Sequence, residues 1–306
     1  MAPPQKRSVA QSEASEWGLS PPDEDWESLG PSPQEDITLS QTDNVTPTRE
    51  RAKRRRSSVS NQVSYSVLKK EKTIHDKVYG AVTLPPLLVA VMDTEEFQRL
   101  DHICQLGGSH HVFPGARHSR KEHSIGTSHM AGAMVKHLQR LQPELGIDED
   151  DVACVQLAAL CHDIGHGPYS HMWETFVHSA TGNKDWTHEA MSARLIRRAL
   201  AKNGIDVARY LNCDDVDAGR HVNFCCALIE GLRDDRPWPL TLGRDESKRF
   251  LFDVVSNSRS GMDVDKLDYL LRDGLSAFGS SAAFDWNRLV HACRAVAPKG
   301  SEIKQI

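Results

Sequence analysis

This sequence lacks several features that would by themselves assign a protein to a broad class, such as membrane or secreted proteins. It contains no run of about 18 apolar residues, so no membrane-spanning helix is predicted. Its first residues lack the apolar segment of a secretory signal. Its 7 cysteines include no CxxC pair, which favours reduced thiols in an intracellular compartment. A net charge of -5 excludes a protein that coats nucleic acid by bulk positive charge.

The segment 1–62 differs in composition from the rest of the chain. Of the 15 prolines, seven lie in the first 47 residues, mixed with Ser, Glu and Asp. Such a segment buries too little apolar surface to offset its chain entropy, so a disordered tail is predicted over 1–62. The tail carries a basic run over 49–56, RERAKRRR. This run predicts nuclear import or a nucleic-acid contact, and it is equally consistent with a solvated linker in a cytoplasmic protein.

From about residue 72 onward the apolar residues recur at helical spacing, and no series of neighbouring strands shows a period of two. An all-α domain is therefore predicted over 72–306. The run VYGAVTLPPLLVAVMDT is expected to be extended, because the pair Pro85–Pro86 excludes a helix there. A helix is predicted between Thr94 and Gly107, and a fully buried one from Val152. Further helices are predicted at 122–141, 191–199, 222–232, 250–255 and 262–272.

The run LCHDIGHGPYSH over 160–171 ends the buried helix with a histidine and an acid. An unpaired charge buried at such a place costs several kcal/mol, and a metal ion would satisfy His162 and Asp163 together. An imidazole nitrogen beside a carboxylate oxygen suits Fe, Mn, Zn, Co or Ni. The two glycines of the run let the chain turn closely, so that His166 and His171 can return over the same pocket.

Two distant segments offer matching groups. ARHSRKEHSIG presents His123 beside Arg120 at the start of a predicted helix. On the short helix of GMDVDKLDYLLRD, residues at i, i+3 and i+7 share one face. A histidine, a His-Asp pair 39 residues later, and an acid 102 residues after that pair together predict one metal site. The shared face of the short helix carries Lys266, Tyr269 and Asp273, with Asp265 next to it.

With these stretches in this order, the chain resembles the HD-domain superfamily of metal-dependent phosphohydrolases, and more narrowly its deoxynucleoside triphosphate triphosphohydrolases. The similarity extends over about residues 72–295. It rests on MDTEEFQRL, QLGGSHHVFPGARHSRKEHSIG, QLAALCHDIGHGPYSHMWE, DWTHE and SNSRSGMDVDKLDYLLRD. The resemblance implies an HD-domain helical bundle that hydrolyses a deoxynucleoside triphosphate (dNTP) to the deoxynucleoside and inorganic triphosphate.

Site residues and cofactors follow from the resemblance, motif by motif. One divalent transition metal per chain would be held by His123, His162, Asp163 and Asp265, and Mg²⁺ would accompany the nucleotide. The catalytic groups would be His166, His171, His188 and Glu174, the last standing where the family has an Asp. The substrate contacts would be Gln105, Leu106, Arg120, Lys266, Tyr269 and Asp273.

The sequence also departs from the family pattern. In the family's regulatory guanine-nucleotide site Asp93 and Gln98 match, but Asp101 stands in place of an Arg. This change reverses the charge that faces a phosphate and counts against activation by a guanine nucleotide. The family continues beyond the position of Ile306 with a portion that adds substrate contacts and much of the interface of a homo-oligomer, a dimer or tetramer. Residues 1–62 are too polar for a SAM domain.

Two other functions remain open at this point. Another HD-type phosphohydrolase or phosphodiesterase would act on a cyclic or monophosphate nucleotide, and the cyclic-nucleotide enzymes carry further His and Asp ligands for a second metal. A non-catalytic regulator would bind nucleotide or single-stranded nucleic acid. The basic run favours the regulator, and the complete set of metal ligands opposes it.

Overall fold

The computed structural model describes residues 69–232, 237–280, 284–300 and 303–306. The tail predicted over 1–62 and its basic run lie outside the described residues. The described chain begins with an antiparallel hairpin of two strands, β1 (Lys72–Asp76) and β2 (Gly80–Leu84). This hairpin is not predicted from the sequence, because two strands of five residues offer too few alternations to stand out from a helical background.

Helices make up most of the described chain, so the all-α prediction is confirmed. Within the four described ranges there are eleven α-helices, with short 3-10 segments between some of them. No helix among them is long and apolar enough to cross a membrane. The helices are α1 (Pro86–Met92), α2 (Glu95–Gln98), α3 (Arg120–Leu141), α4 (Glu149–Cys161), α5 (His171–Thr181), α6 (His188–Lys202), α7 (Val207–Leu211), α8 (Asp215–Glu230), α9 (Phe252–Val255), α10 (Val264–Phe278) and α11 (Trp286–Ala292).

The expectation that Pro85–Pro86 excludes a helix is wrong, since α1 begins at Pro86. A proline at the first helical position loses no hydrogen bond, because the N–H at that position has no helical partner, and its fixed φ suits the helix. The pair therefore ends the extended strand β2 and starts a helix, instead of prolonging the extended segment.

The single helix predicted between Thr94 and Gly107 is also wrong. Only the four-residue α2 forms, with Oγ1 of Thr94 accepting a hydrogen bond from the N–H of Phe97, and a 3-10 turn follows. The chain then extends at Ile103, whose carbonyl accepts a hydrogen bond from the N–H of Arg120 (2.9 Å). A backbone contact with the start of α3 therefore replaces the helical continuation that the apolar spacing predicts.

The central helices α3 and α4 each begin with a capping box, Ser119 with Glu122 and Asp148 with Asp151. Beyond its first turn α4 is buried almost throughout, as its apolar sequence predicts. α3 packs against α4 and α10, and α8 packs against α4 and α6. This arrangement brings the start of α3, the end of α4 and the start of α10 together, and the predicted ligands lie at these three ends.

Candidate metal centre

Three side chains from distant segments meet at one point. His123 lies in the first turn of α3, His162 caps the end of α4, and Asp265 lies in the first turn of α10. The two Nε2 atoms are 3.2 Å apart, and Oδ1 of Asp265 lies 2.8 Å from Nε2 of His123 and 3.4 Å from Nε2 of His162. Donor atoms bound to one ion at about 2.0–2.2 Å stand ~3 Å apart. The three groups therefore fit the ligand set of a metal ion.

The fourth predicted ligand, Asp163, lies at the edge of this group. Its Oδ2 is 3.5 Å from Nε2 of both His123 and His162. The same oxygen accepts a hydrogen bond from the buried guanidinium of Arg120. The structure thus brings the four predicted metal ligands together, and Arg120 donates a hydrogen bond to one of them, Asp163.

The charges of the centre depend on one another. Burial would raise the pKa of Asp265, but hydrogen bonds from the two imidazoles lower it instead. Burial would also raise the pKa of Asp163, which the charge of Arg120 holds well below its usual range. Burial lowers the pKa of His123, yet hydrogen bonds to Asp265 and Asp268 raise it to about 10. Two ionised acids therefore stabilise positive charge at this point, which suits a cation.

Each imidazole is oriented through the nitrogen that faces away from the centre. Nδ1 of His162 donates a hydrogen bond to the carbonyl of Ala159 (2.8 Å), and Nδ1 of His123 donates to Oδ2 of Asp268 (2.7 Å). Histidines that bind metals have partners of this type, which leave the other nitrogen free to coordinate. Both Nε2 atoms consequently face the centre.

A second group of three imidazoles lies beside the first. The ring centres of His166 and His188 are 4.0 Å apart in a stack, and His171 stands edge-on to them at 4.8 and 5.4 Å. Nδ1 of His188 donates to Oε2 of Glu174 (2.9 Å), so the Glu that replaces the expected Asp still reaches its imidazole. Burial lowers the pKa of His171 and lowers that of His166 to about 4, so both rings are neutral near physiological pH.

The loop after α4 is folded tightly against α6. A Cβ at Gly165 would overlap the backbone of α6, so this close approach requires glycine. Oγ of Ser192 donates to the carbonyl of His162 (2.6 Å) and accepts from the N–H of Gly165 (2.8 Å). Tyr169 and Ser170 adopt positive φ angles of 61° and 59°, which non-glycine residues adopt at a cost and mostly at functional sites.

A pocket of about 580 Å³ reaches the second imidazole group, a volume in the range of small-molecule sites. Oε1 of Gln105 and Nη2 of Arg120 are buried and have no hydrogen-bond partner in the described part of the chain. Buried polar atoms without a partner are uncommon in folded proteins, so these two point to a polar ligand. The pocket is lined by Gln105, Leu106, Gly107, Gly108, Ser109, Tyr169, Ser170, His171 and Met172.

The three predicted substrate contacts on α10 differ in whether a neighbouring residue already bonds their side chain. Oδ1 of Asp273 accepts a hydrogen bond from Nε2 of the buried His118 (2.6 Å). The side chains of Lys266 and Tyr269 are half-buried and form no hydrogen bond or ion pair with any other residue that the structure describes. The structure therefore leaves Lys266 and Tyr269 available to a ligand and holds Asp273 against a neighbouring histidine.

Four residues around the site have no role predicted from the sequence: Asp268, Arg272, His118 and Ser192. The pair of Asp268 and Arg272 could have been found, because residues four positions apart share a helix face. His118 and Ser192 gave no such signal, since their partners lie 155 and 30 residues away along the chain.

The sequence of this chain is similar to a known family profile and to several known proteins. The family profile described as HD domain matches residues 120–273. The chain is 43% identical over 226 residues to deoxynucleoside triphosphate triphosphohydrolase SAMHD1 of Homo sapiens. It is 37% identical over 236 residues to the SAMHD1 homolog of Dictyostelium discoideum, and 30% identical over 226 residues to a putative HD domain-containing protein of Acanthamoeba polyphaga mimivirus. These matches cover 73%, 77% and 70% of this chain, but only 36%, 42% and 45% of the relatives.

Proposed function

The chain belongs to the HD-domain family, and we propose that it hydrolyses a dNTP to the deoxynucleoside and inorganic triphosphate with the help of a divalent metal. The observation that carries this proposal is the meeting of two imidazoles and two carboxylates beside a buried guanidinium, one nitrogen of which has no partner in the described ranges. The activity in the names of the human and Dictyostelium relatives supports the choice of substrate and reaction.

The donor set fits the metal that this activity needs. His123, His162, Asp163 and Asp265 would hold it, and two nitrogens with carboxylate oxygens suit Fe, Mn, Zn, Co or Ni. Such an ion, when bound, lowers the pKa of water and polarises a phosphoryl oxygen. Mg²⁺ would instead accompany the nucleotide, because it prefers phosphate oxygens and retained water.

Arg120 is the first phosphate contact in this proposal. Its side chain is 2% exposed, and the guanidinium is fixed at two nitrogens, since Nη1 donates to Asp163 and Nε donates to Oγ of Ser170 (3.0 Å). Nη2 has no partner among the described residues and can donate to a phosphate oxygen, and charge-assisted hydrogen bonds of this kind are strong. Lys266 would add a second cation, and the pocket beside Gln105 would take the sugar.

The proton transfers belong to the second imidazole group. The neutral rings of His166 and His171 can each orient the attacking water and accept its proton, and either can serve. His188, oriented by Glu174, would protonate the 5′ oxygen of the sugar. Attack at the α-phosphorus breaks the bond to this oxygen, so the deoxynucleoside leaves with a hydroxyl group and the three phosphates leave together.

The proposal is tested by incubating the purified chain with each dNTP, dGTP included, and Mn²⁺, and measuring triphosphate by ion-exchange chromatography. His162→Asn and Asp163→Ala should each lower the rate at least about 10²–10⁴-fold and reduce bound metal. His102→Asn changes an exposed histidine and is the matched control, with full activity expected. If either site variant retains both its bound metal and its hydrolysis of dGTP, the proposal is overturned.

A phosphodiesterase with two metals is the second candidate, because His166, His171 and His188 could themselves hold an ion. The metal content of the active chain separates the two. One ion per chain with triphosphate release supports the triphosphohydrolase, and two ions with hydrolysis of a cyclic or monophosphate nucleotide support the phosphodiesterase. Binding of nucleotide or single-stranded nucleic acid without turnover would indicate a regulator.

We further propose that this activity needs no guanine nucleotide. Lys121 donates to Oε1 of Gln98 (2.9 Å) and pairs with Asp101 (3.4 Å), and Lys69 pairs with Asp93 (2.9 Å). Lysines of the chain itself therefore engage the residues that the resemblance assigns to a regulatory nucleotide. Adding GTP should not change the rate of dATP hydrolysis. It should also not change the oligomeric state, dimer or tetramer, measured by sedimentation. Activation by GTP would contradict the proposal.

We also propose nuclear import through the basic run at 49–56, which lies outside the described residues. Its charge is the supporting observation. Deleting these eight residues from a tagged chain should move it from the nucleus to the cytoplasm, and an unchanged distribution would remove the proposal.

A further inference from the structure

We propose that the β1–β2 hairpin positions the imidazole of His123 through Tyr79 and a buried ion pair between Asp268 and Arg272. The inference rests on the metal site of the proposed function. The hairpin and its ion pair act as positioning residues, because Asp268 reaches the centre only through His123, and Tyr79 and Arg272 act only through Asp268.

Asp268 is the member that contacts His123. Its fully buried carboxylate accepts four hydrogen bonds: from Nδ1 of His123 (2.7 Å), from the hydroxyl of Tyr79 (2.8 Å), and from Nε and Nη2 of Arg272 (2.9 Å each). An ionised carboxylate has about four lone-pair sites, so all its acceptor positions are engaged. Because this carboxylate can only accept, Nδ1 of His123 carries a hydrogen and Nε2 is the atom that can coordinate.

The hairpin holds the same ion pair from its other side. Oδ1 of Asp76, the last residue of β1, accepts hydrogen bonds from the N–H groups of Val78 (2.7 Å) and Tyr79 (3.0 Å) and so fixes the turn. Oδ2 of Asp76 accepts from Nη1 of Arg272 (2.8 Å). Arg272 thereby links Asp76 in the hairpin to Asp268 on α10, and the turn and the candidate metal ligand form one hydrogen-bonded unit.

The packing leaves this unit little room to rearrange. A Cβ at Gly126, which follows His123 by three residues on α3, would overlap the side chains of Asp268 and Arg272 and lie 2.8 Å from the ring of Tyr79. The Tyr79 ring also packs edge-on against Trp286, with ring centres 5.1 Å apart. A buried ion pair gains little net stability once its desolvation is counted. Its presence here is therefore better explained by the orientation that it gives to His123.

Affinity for Co²⁺, measured by competition with a chelator, tests this inference. Asp268→Asn removes the charge and should weaken the affinity, corrected for the proton that His123 releases on binding, about 10–100-fold, the usual effect of losing such a partner. Tyr79→Phe removes one of the four hydrogen bonds and should weaken binding ~3–10-fold. Both variants should also shift the visible absorption of bound Co²⁺. Thr83→Val is the control, because it removes a hydrogen bond to Thr73 (2.9 Å) on the exposed face of the same hairpin and should bind Co²⁺ normally.

Unchanged affinity and spectrum in both Asp268→Asn and Tyr79→Phe would overturn the inference. An equal loss in Thr83→Val would overturn it as well, since the effect would then come from a general loss of stability and not from the hydrogen bond that Tyr79 donates to Asp268. Should Asp268→Asn fail to fold, Tyr79→Phe decides alone. A wild-type chain that binds Co²⁺ but hydrolyses no dNTP removes the proposed function and leaves this inference intact, whereas a wild-type chain that binds no Co²⁺ removes both.

Discussion

Metal binding at the centre should depend steeply on pH, because the metal competes with a proton for His123. Burial lowers the pKa of His123, but hydrogen bonds to Asp265 and Asp268 raise it to about 10. The metal-free imidazole therefore carries a positive charge at physiological pH. A metal needs the lone pair on Nε2, so the proton has to leave when the metal binds.

The size of the effect follows from the number of protons released. Each released proton makes the apparent affinity rise about tenfold per pH unit while the pH stays below the pKa of the free group. Between about pH 6 and pH 8 the affinity should therefore rise at least ~100-fold. His162 adds to this increase, because the charge of Asp163 overcomes the effect of burial and raises its pKa too. Acid thus weakens binding and base strengthens it.

Calorimetric titration with Mn²⁺ in two buffers of different ionisation enthalpy counts the released protons, and we expect at least one near neutral pH. Asp268→Asn is the matched variant. It keeps the proposed ligands and removes one cause of the raised pKa of His123, so fewer protons should be released in mild base. An affinity that stays constant from acid to base, or binding without proton release, would refute the reasoning.

Three further substitutions test other parts of the account. Arg120→Lys keeps the charge but loses the unpartnered Nη2, so kcat/KM for dNTP hydrolysis should fall about 10–100-fold at unchanged metal content, and a wild-type kcat/KM would exclude a phosphate contact. Gly165→Ala forces a Cβ against the backbone of α6 and should lower the free energy of unfolding in urea by about 1–3 kcal/mol; an unaltered midpoint would contradict the close approach. Leu160→Ala, in the buried part of α4, should cost ~2–5 kcal/mol in the same measurement, and a negligible loss would indicate a loosely packed core.

The candidate ligands could be found in the sequence because of where they stand. His162 and Asp163 follow an apolar helix, and a histidine and an acid at such a place need a partner. Arg120 and His123 lie at the start of the preceding long helix, α3, where a Ser and a Glu mark the capping box. Such signals lie in a few neighbouring residues and mark the ends of helices. Tertiary contacts do not change where these two helices begin and end, so the predictions hold in the folded chain.

Residues that act on the ligands from a distant segment could not be found in the same way. Tyr79 donates to Asp268 from 189 residues away, and no local spacing connects the two. The helix predicted to reach Gly107 fails for a related reason, because the N–H of Arg120 bonds to the carbonyl of Ile103 and draws the chain out of helical geometry. Long-range hydrogen bonds decide both cases, and a single sequence does not reveal them.

The most direct test of the metal centre is anomalous diffraction from crystals of the chain soaked in Mn²⁺. We expect one strong peak at about 2.0–2.2 Å from Nε2 of His123, Nε2 of His162 and one oxygen each of Asp163 and Asp265. A peak found only among His166, His171 and His188, or no peak at either place, would contradict it.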